Sequence, residues 1–454
     1  MGFVDESYLL ESETARELYA AIADLPIVDV HTHVDPEAVL ADQGWANPWA
    51  VLGETDHYVW TLMRNRGIEE AQITGDADPR EKWDALAAVL PECIGSPTYE
   101  WLHLDLARRF GVERPLRPET ADEIWATVAD RLESGNVTQR TVLEEMGVEV
   151  LCTTDRPTTS LDVHDALANE LDGTRVLPTW RADRAVRIHA AGWPEFVEGL
   201  EAATGVDTSS FQGYLAAIAR TRDRFADRGC LASDIGIERP VSRPVDQRRA
   251  ERIYERRLSG ASIDADERMD FLAFMLEHIA TRDATDDWVT QLHVGPVRSY
   301  RRWLRENVSG GAGNAVASSQ IDLVGGCQHL LDVTDPSATV VLYCVDPAHY
   351  AEVATIARAY ENVSVGPPWW WNDSPLGMDR QLEFVGTVDA LANHAGMVSD
   401  SRKLPSLGSR FEMFRRVLAN LLGRGVERGQ YPEREARELA TYLAYDRPKA
   451  LFDV

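Results

Sequence analysis

The chain has 454 residues and a formal net charge of −28, with 74 acidic residues against 46 basic ones. No basic face is available for phosphate backbones and no apolar run reaches the roughly 18 residues a membrane span needs, so neither a nucleic-acid nor a membrane partner is expected. The five cysteines, Cys93, Cys152, Cys230, Cys327 and Cys344, are scattered and odd in number. They read as reduced thiols of a cytoplasmic protein. Lysine occurs only at Lys82, Lys403 and Lys449. Dispersed acid with arginine in place of lysine reads as halophilic adaptation, because high salt screens repulsion between surface carboxylates.

In chain order, the acidic, amphipathic N-terminus does not fit a signal or transit peptide. The first expected strand is Ile27–Val30, and it runs directly into His31-Thr32-His33. Further strands are expected at Val148–Thr153, Val176–Thr179, Val289–His293, Thr339–Cys344, Val363–Val365 and Gly396–Val398. Amphipathic segments follow most of them, the pattern of parallel strands joined by helices. More than a hundred residues separate the first two strands, far beyond a plain crossover. Their periodicity is helical, most clearly over Pro79–Leu90, Thr98–Phe110 and Thr120–Glu133.

The expected fold is therefore α/β: a distorted (β/α)8 barrel with an all-helical insertion after strand 1. The divisions are 1–35 (N-terminal helix and strand 1), 36–145 (insertion) and 146–454 (the rest of the barrel). The stretch 205–275 carries long Arg-rich amphipathic helices. Residues 309–313 (SGGAG) lack the Gly-Lys-Ser/Thr ending of a phosphate cradle and read as a mobile surface loop.

Residues two apart in an extended strand share a face, so His31 and His33 project together and suit one divalent cation. A carboxylate from another strand end would complete the set. Asp400, in Gly396–Arg402, is that candidate, as third ligand or as base, and Arg402 could grip an anionic substrate. Four other segments end in polar or aromatic groups: Asp56–Trp60 with His57 and Tyr58, Pro178–Arg181, Gln291–Gly295 with His293, and Gly366–Asp373 with Trp369, Trp370 and Trp371. Each alone reads as a cap, a surface cation, a core histidine or packing. Together, at several strand ends, they read as a barrel active site.

These motifs resemble the uronate (glucuronate) isomerase family of the amidohydrolase superfamily. The match runs through VDVHTH, DHYVWTLMRNRG, SPTYEWLHLDLARRFG, PTWRADRA, QLHVG, VGPPWWWND and GMVSDSR. The resemblance implies interconversion of D-glucuronate with D-fructuronate, and of D-galacturonate with D-tagaturonate, through a cis-enediol. It implies one divalent metal, zinc first and manganese or another ion second, on His31, His33 and Asp400. It also implies substrate contacts at His57, Tyr58, Arg181 and Arg402, with His293 and Trp370 lining the pocket. Asp400 is the first candidate for proton carrier and Tyr58 the second, with His57 and Arg402 in supporting catalytic roles.

No lysine lies between Lys82 and Lys403, which excludes a binuclear site bridged by a carboxylated lysine. Ser233-Asp234-Ile235-Gly236 departs from the family's pattern, which has histidine at the position of Ile235, so a strand-5 histidine ligand is expected to be missing. Competing readings are a mononuclear metal-dependent hydrolase and a non-catalytic uronate-binding paralogue. The partner is a small anionic sugar acid, and a homo-oligomer is compatible with such a barrel.

Overall fold

The structure, a computed structural model, describes residues 3–308, 311, 313–318 and 320–454. Residues 309, 310 and 312 of the expected SGGAG loop lie outside the described residues. Among the described residues nine strands form: β1 (Ile27–Asp29), β2 (Val148–Asp155), β3 (Arg175–Arg181), β4 (Ala232–Ile237), β5 (Val289–Val294), β6 (Pro296–Val297), β7 (Val316–Ala317), β8 (Thr339–Cys344) and β9 (Val363–Val365). Seven of them make one parallel sheet in the order β1-β2-β3-β4-β5-β8-β9, and β6 and β7 make a small antiparallel pair beside it.

The sheet curls into a barrel, but its eighth position differs from expectation. Gly396–Val398 is not a strand. Gly396 and Asp400 both take left-handed backbone, with φ of +91° and +47°, which a continuous ladder does not tolerate. The segment 394–401 bridges the gap with individual hydrogen bonds instead. Ala395 N–H donates to Val365 O at 2.8 Å, Asp400 N–H to His31 O at 3.1 Å, and His33 N–H to Ser401 O at 2.9 Å. The buried Asp29 carboxylate accepts from Ser399 N–H at 3.0 Å. In the parallel sheet the strand the sequence did not announce is β4, whose ASDIGI run places two polar residues and a glycine among its apolar ones.

Three apolar cores hold the fold. Inside the barrel, Val28, Val150, Leu177, Ala232, Val289 and Val341 meet, closed off by Phe452 of the C-terminal helix Arg447–Phe452. A second core lies between β3–β9 and their outer helices. The third joins the N-terminal helix Glu13–Ile22, the helices between β1 and β2, and the long helix Ser406–Glu427. All elements between β1 and β2 are helical. Among the described residues, five α-helices have proline as their first residue (Pro36, Pro48, Pro79, Pro97 and Pro375), where the missing N–H has no intrahelical partner to lose. Among the described residues no helix is long and apolar enough to cross a membrane.

Candidate active site

The first imidazoles leave the end of β1 on one side, while Thr32 between them turns away and donates its hydroxyl to Ser401 O at 2.8 Å. His31 Nε2 and His33 Nε2 lie 3.3 and 3.1 Å from one oxygen of Asp400. The left-handed turn at Asp400 aims its carboxylate back into the barrel mouth, where the second oxygen accepts Trp369 Nε1–H at 2.7 Å. The His33 Nδ1 faces the Thr154 hydroxyl at 2.5 Å. With Nδ1 accepting from Arg181 Nη1–H at 3.4 Å, Nε2–H is turned to Asp400, and a cation there would take that proton's place.

A second group adjoins the first. His31, Asp234 of β4 and His293 of β5 bring one ligand atom each within 4.8 Å of one another, as do His31, His33 and Asp400. His293 Nδ1 stands 2.9 Å from Asp234 Oδ1 without the in-line geometry of a hydrogen bond. Both nitrogens of His293, Nδ1 of His31 and Oδ2 of Asp234 are buried and lack a hydrogen-bond partner. Buried polar atoms left open in this way are costly unless something binds them, and this donor set of imidazoles and carboxylates fits a divalent cation.

The expected loss of a strand-5 histidine is corrected here. Ile235 lies on β4, the fourth strand of the barrel, with its side chain fully buried in the outer core. The fifth strand carries His293 one residue before its end, so a histidine does stand on that strand. No spacing in the sequence ties Asp234, beside Ile235, to His31 or His293.

Electrostatics separate these groups. Burial pulls the His33 imidazole down to about 4, and burial together with the Arg402 charge pulls His57 down to about 3. Both are neutral at physiological pH. Burial opposes ionisation of Asp400, but hydrogen bonds from His31 and His33 outweigh it and hold the carboxyl well below its ordinary range. Asp234 follows the same pattern, with His31 and Arg181 outweighing burial. For His31, burial is outweighed by Asp234 and Asp400, which raise its proton affinity. A proton is drawn to the place a cation would occupy.

His57 and Tyr58 open the helix His57–Asn65, capped by Asp56, which accepts Tyr58 N–H at 2.9 Å. Their rings lie 4.2 Å apart. The Tyr58 hydroxyl is buried and unpartnered, and burial raises its pKa well above 10, so it carries its proton. Beneath it, the Arg410 guanidinium lies 5.2 Å from the Tyr58 ring and 3.8 Å from that of Trp101. Arg410 is held by Asp373 at 2.9 Å and Ser399 O at 2.7 Å. Burial, with Asp400 nearby, pushes Asp373 up to about 7 despite Arg410. Lys403 Nζ sits 2.9 Å from Asp105 and 3.4 Å from Asp56, tying the helical region to the closing segment of the barrel.

Two cavities meet at Arg298 and Arg402, and His33 of the cluster lines one of them. One, of about 440 Å³, is lined by His57, Tyr58, Trp370, Arg298 and Arg402. The other, of about 730 Å³, is lined by His33, Thr154, Arg181, Arg298 and Arg402. Arg402 donates to Gly311 O at 3.1 Å and, with Arg298, forms the partition between them. Arg181 donates to Asp183 at 3.2 Å and lies 3.6 Å from Asp234. Trp370 takes a left-handed φ of +57° and receives the Arg298 guanidinium at 5.0 Å from its ring. All residues singled out in the sequence therefore border one region. Asp234, Arg298, Arg410, Asp373 and Lys403 join them unannounced, although Asp373 and Asp234 lay inside motifs already quoted.

The sequence pattern of the glucuronate isomerase family matches residues 1–452. A uronate isomerase of Thermotoga petrophila is 45% identical over 450 residues, 99% of each chain. The crystal structure of the Thermotoga maritima uronate isomerase superposes with a TM-score of 0.98 at 44% identity, covering 100% of both chains. A uronate isomerase of Bacillus halodurans, only 14% identical, shares the fold at a TM-score of 0.73 over 99% of this chain and 97% of its own. The chain belongs to the glucuronate isomerase family and is an isomerase of hexuronate metabolism.

Proposed function

We propose that this isomerase interconverts D-glucuronate with D-fructuronate, and D-galacturonate with D-tagaturonate, by moving a proton between C2 and C1 of the open-chain sugar. The observation that carries this reading is the ionised Asp400 carboxylate. It is held between two imidazoles and an indole, and one of those imidazoles, His33, lines the larger of two cavities that meet at Arg298 and Arg402. Aldose–ketose isomerisation needs one base that can serve both carbons and donors for the charge that develops on their oxygens.

In this scheme Asp400 takes the C2 proton and returns it to C1. Tyr58, kept protonated by burial, donates a hydrogen bond to the enediolate oxygen and is the second candidate for proton carrier. His57, neutral and beside Tyr58, relays hydroxyl protons. Arg181 and Arg402 bind the substrate's anionic groups, and a guanidinium can do so with two parallel hydrogen bonds. Trp370 and His293 shape the walls. Residues 36–145 form the insertion that delivers His57 and Tyr58 to the barrel mouth.

One divalent cation, zinc first and manganese or another ion second, would be held by His31, His33 and Asp400, with His293 and Asp234 as adjoining donors. It would supply Lewis-acid polarisation and orientation of substrate oxygens. The acid excess supports a high-salt cytoplasm as the setting.

The test is NMR of D-glucuronate and D-galacturonate incubated with the enzyme in strong salt with added zinc or manganese. Ketose should appear without loss of mass, with deuterium entering C1 of the product in deuterated water. Binding of both uronates with turnover of neither would overturn the reading.

A further inference from the structure

The larger cavity reverses the sign of the molecule around it. Six arginines face it (Arg156, Arg181, Arg184, Arg187, Arg298 and Arg402), in a chain whose net charge is −28. Three aspartates share the wall, and two of them are already engaged. Asp183 pairs with Arg181 at 3.2 Å and lies 3.7 Å from Arg187, while Asp155 accepts the Thr153 hydroxyl at 2.6 Å. The side chains of Arg156, Arg184, Arg298 and Arg402 form no ion pair with a carboxylate among the described residues. Arg156 directly follows β2 and Arg184 follows β3, and both are exposed at the outer part of the basin. His33 and Arg181 lie at its inner end, beside Asp234 and Asp400.

The smaller cavity is built differently. Leu62, Pro97, Leu304, Val308, Trp370 and Trp371 make most of its surface apolar. A small carboxylate approaching an acidic protein is repelled everywhere except where a cleft focuses positive potential. Unpaired guanidinium groups at the rim serve that purpose, since a group already neutralised by a carboxylate contributes little field. The partition of Arg298 and Arg402 then offers the anion a next position within the site.

We propose that the arginine basin is the entrance for hexuronate, and that Arg156 and Arg184 capture its carboxylate before the inner arginines take it over. The inference rests on the placement of the reacting site at Asp400. Arg156 and Arg184 act on encounter and not on the proton transfer itself.

The test compares the wild type with the double variant R156Q/R184Q, using D-glucuronate between about 0.1 M and 2 M salt, a range over which surface fields go from effective to screened. At the low end kcat/KM should fall by roughly 5–10-fold with kcat within about twofold, and the gap should close as salt rises. The charge reversal R156E/R184E should deepen the loss at the same salt. The charge-matched control R434Q/R437Q, away from both cavities, should leave kcat/KM unchanged. Wild-type kcat/KM in R156Q/R184Q at low salt, or an equal loss in R434Q/R437Q, overturns the proposal. Retained activity in Asp400→Asn would instead overturn the site on which it rests, whatever the arginines do.

Discussion

Ser233 and Asp234 are neighbours on β4, and strand alternation sends them to two different kinds of buried charge. Ser233 points outward to Asp283, which accepts its hydroxyl at 2.5 Å and that of Thr290 at 2.7 Å. Arg222 completes this outer cluster, donating to Asp283 at 2.7 Å and Asp286 at 2.8 Å, with the Trp288 ring 4.1 Å from its guanidinium. Asp283 has both oxygens engaged. Asp234 points inward, where Oδ2, both His293 nitrogens, His31 Nδ1 and the Tyr58 hydroxyl remain open. The outer cluster closes around the Asp283 carboxylate, leaving Nη1 of Arg222 open, and serves stability. The inner one keeps its bonding capacity in reserve for something that arrives.

Substitutions should separate the two. Asp400→Asn removes the proposed base and should cost about 10³-fold or more in kcat while circular dichroism and the melting temperature stay near wild type. A comparable loss of stability would mean that the inner cluster also holds the fold. On the outer side, Asp283→Asn leaves Arg222 partly uncompensated and should destabilise by about 3 kcal/mol in urea titration, with kcat per folded molecule unchanged. A fall in kcat there would erase the distinction. Asp234→Asn is expected to weaken divalent-cation binding by roughly 10–100-fold, read by calorimetry on chelator-treated protein.

The smallest effect concerns pH. His394 is fully buried, and burial with the nearby Arg447 lowers its pKa to about 3, against an ordinary value of 6.5. The unfolded chain therefore binds the extra proton first, so the stability His394 contributes is whole above pH 6.5 and is lost as pH falls toward 3. From pH 7 to 5 that loss is about 2 kcal/mol, and His394→Gln should remove it from the pH dependence of urea midpoints.

What was legible in the residues followed spacing. His31 and His33 declare a shared face by being two apart at a strand's end, and six of the seven expected strands are present, each a short run in which β-branched and apolar residues predominate. The eighth barrel position did not read correctly. Gly396–Val398 has a strand's composition, but the left-handed angles that prevent a ladder depend on close packing of Gly396 against Leu443 and Pro448. No local pattern records that contact. β4 failed in the opposite direction, since half its alternating positions serve polar clusters on both faces of the sheet. Arg298 and Arg410 were invisible because nothing in a stretch of arginine-rich sequence marks which guanidinium will lack a carboxylate or lie over a tyrosine.

The lysine inventory has a practical side. Lys403 is buried against Asp105 and Asp56, where amine reagents do not reach it. Lys82 and Lys449 are the side-chain amines left, and neither lines either cavity. Lys449 belongs to the C-terminal helix that closes the barrel interior at the end away from the site. Attachment to an aldehyde- or succinimide-activated resin through these side chains would leave both cavities uncrosslinked.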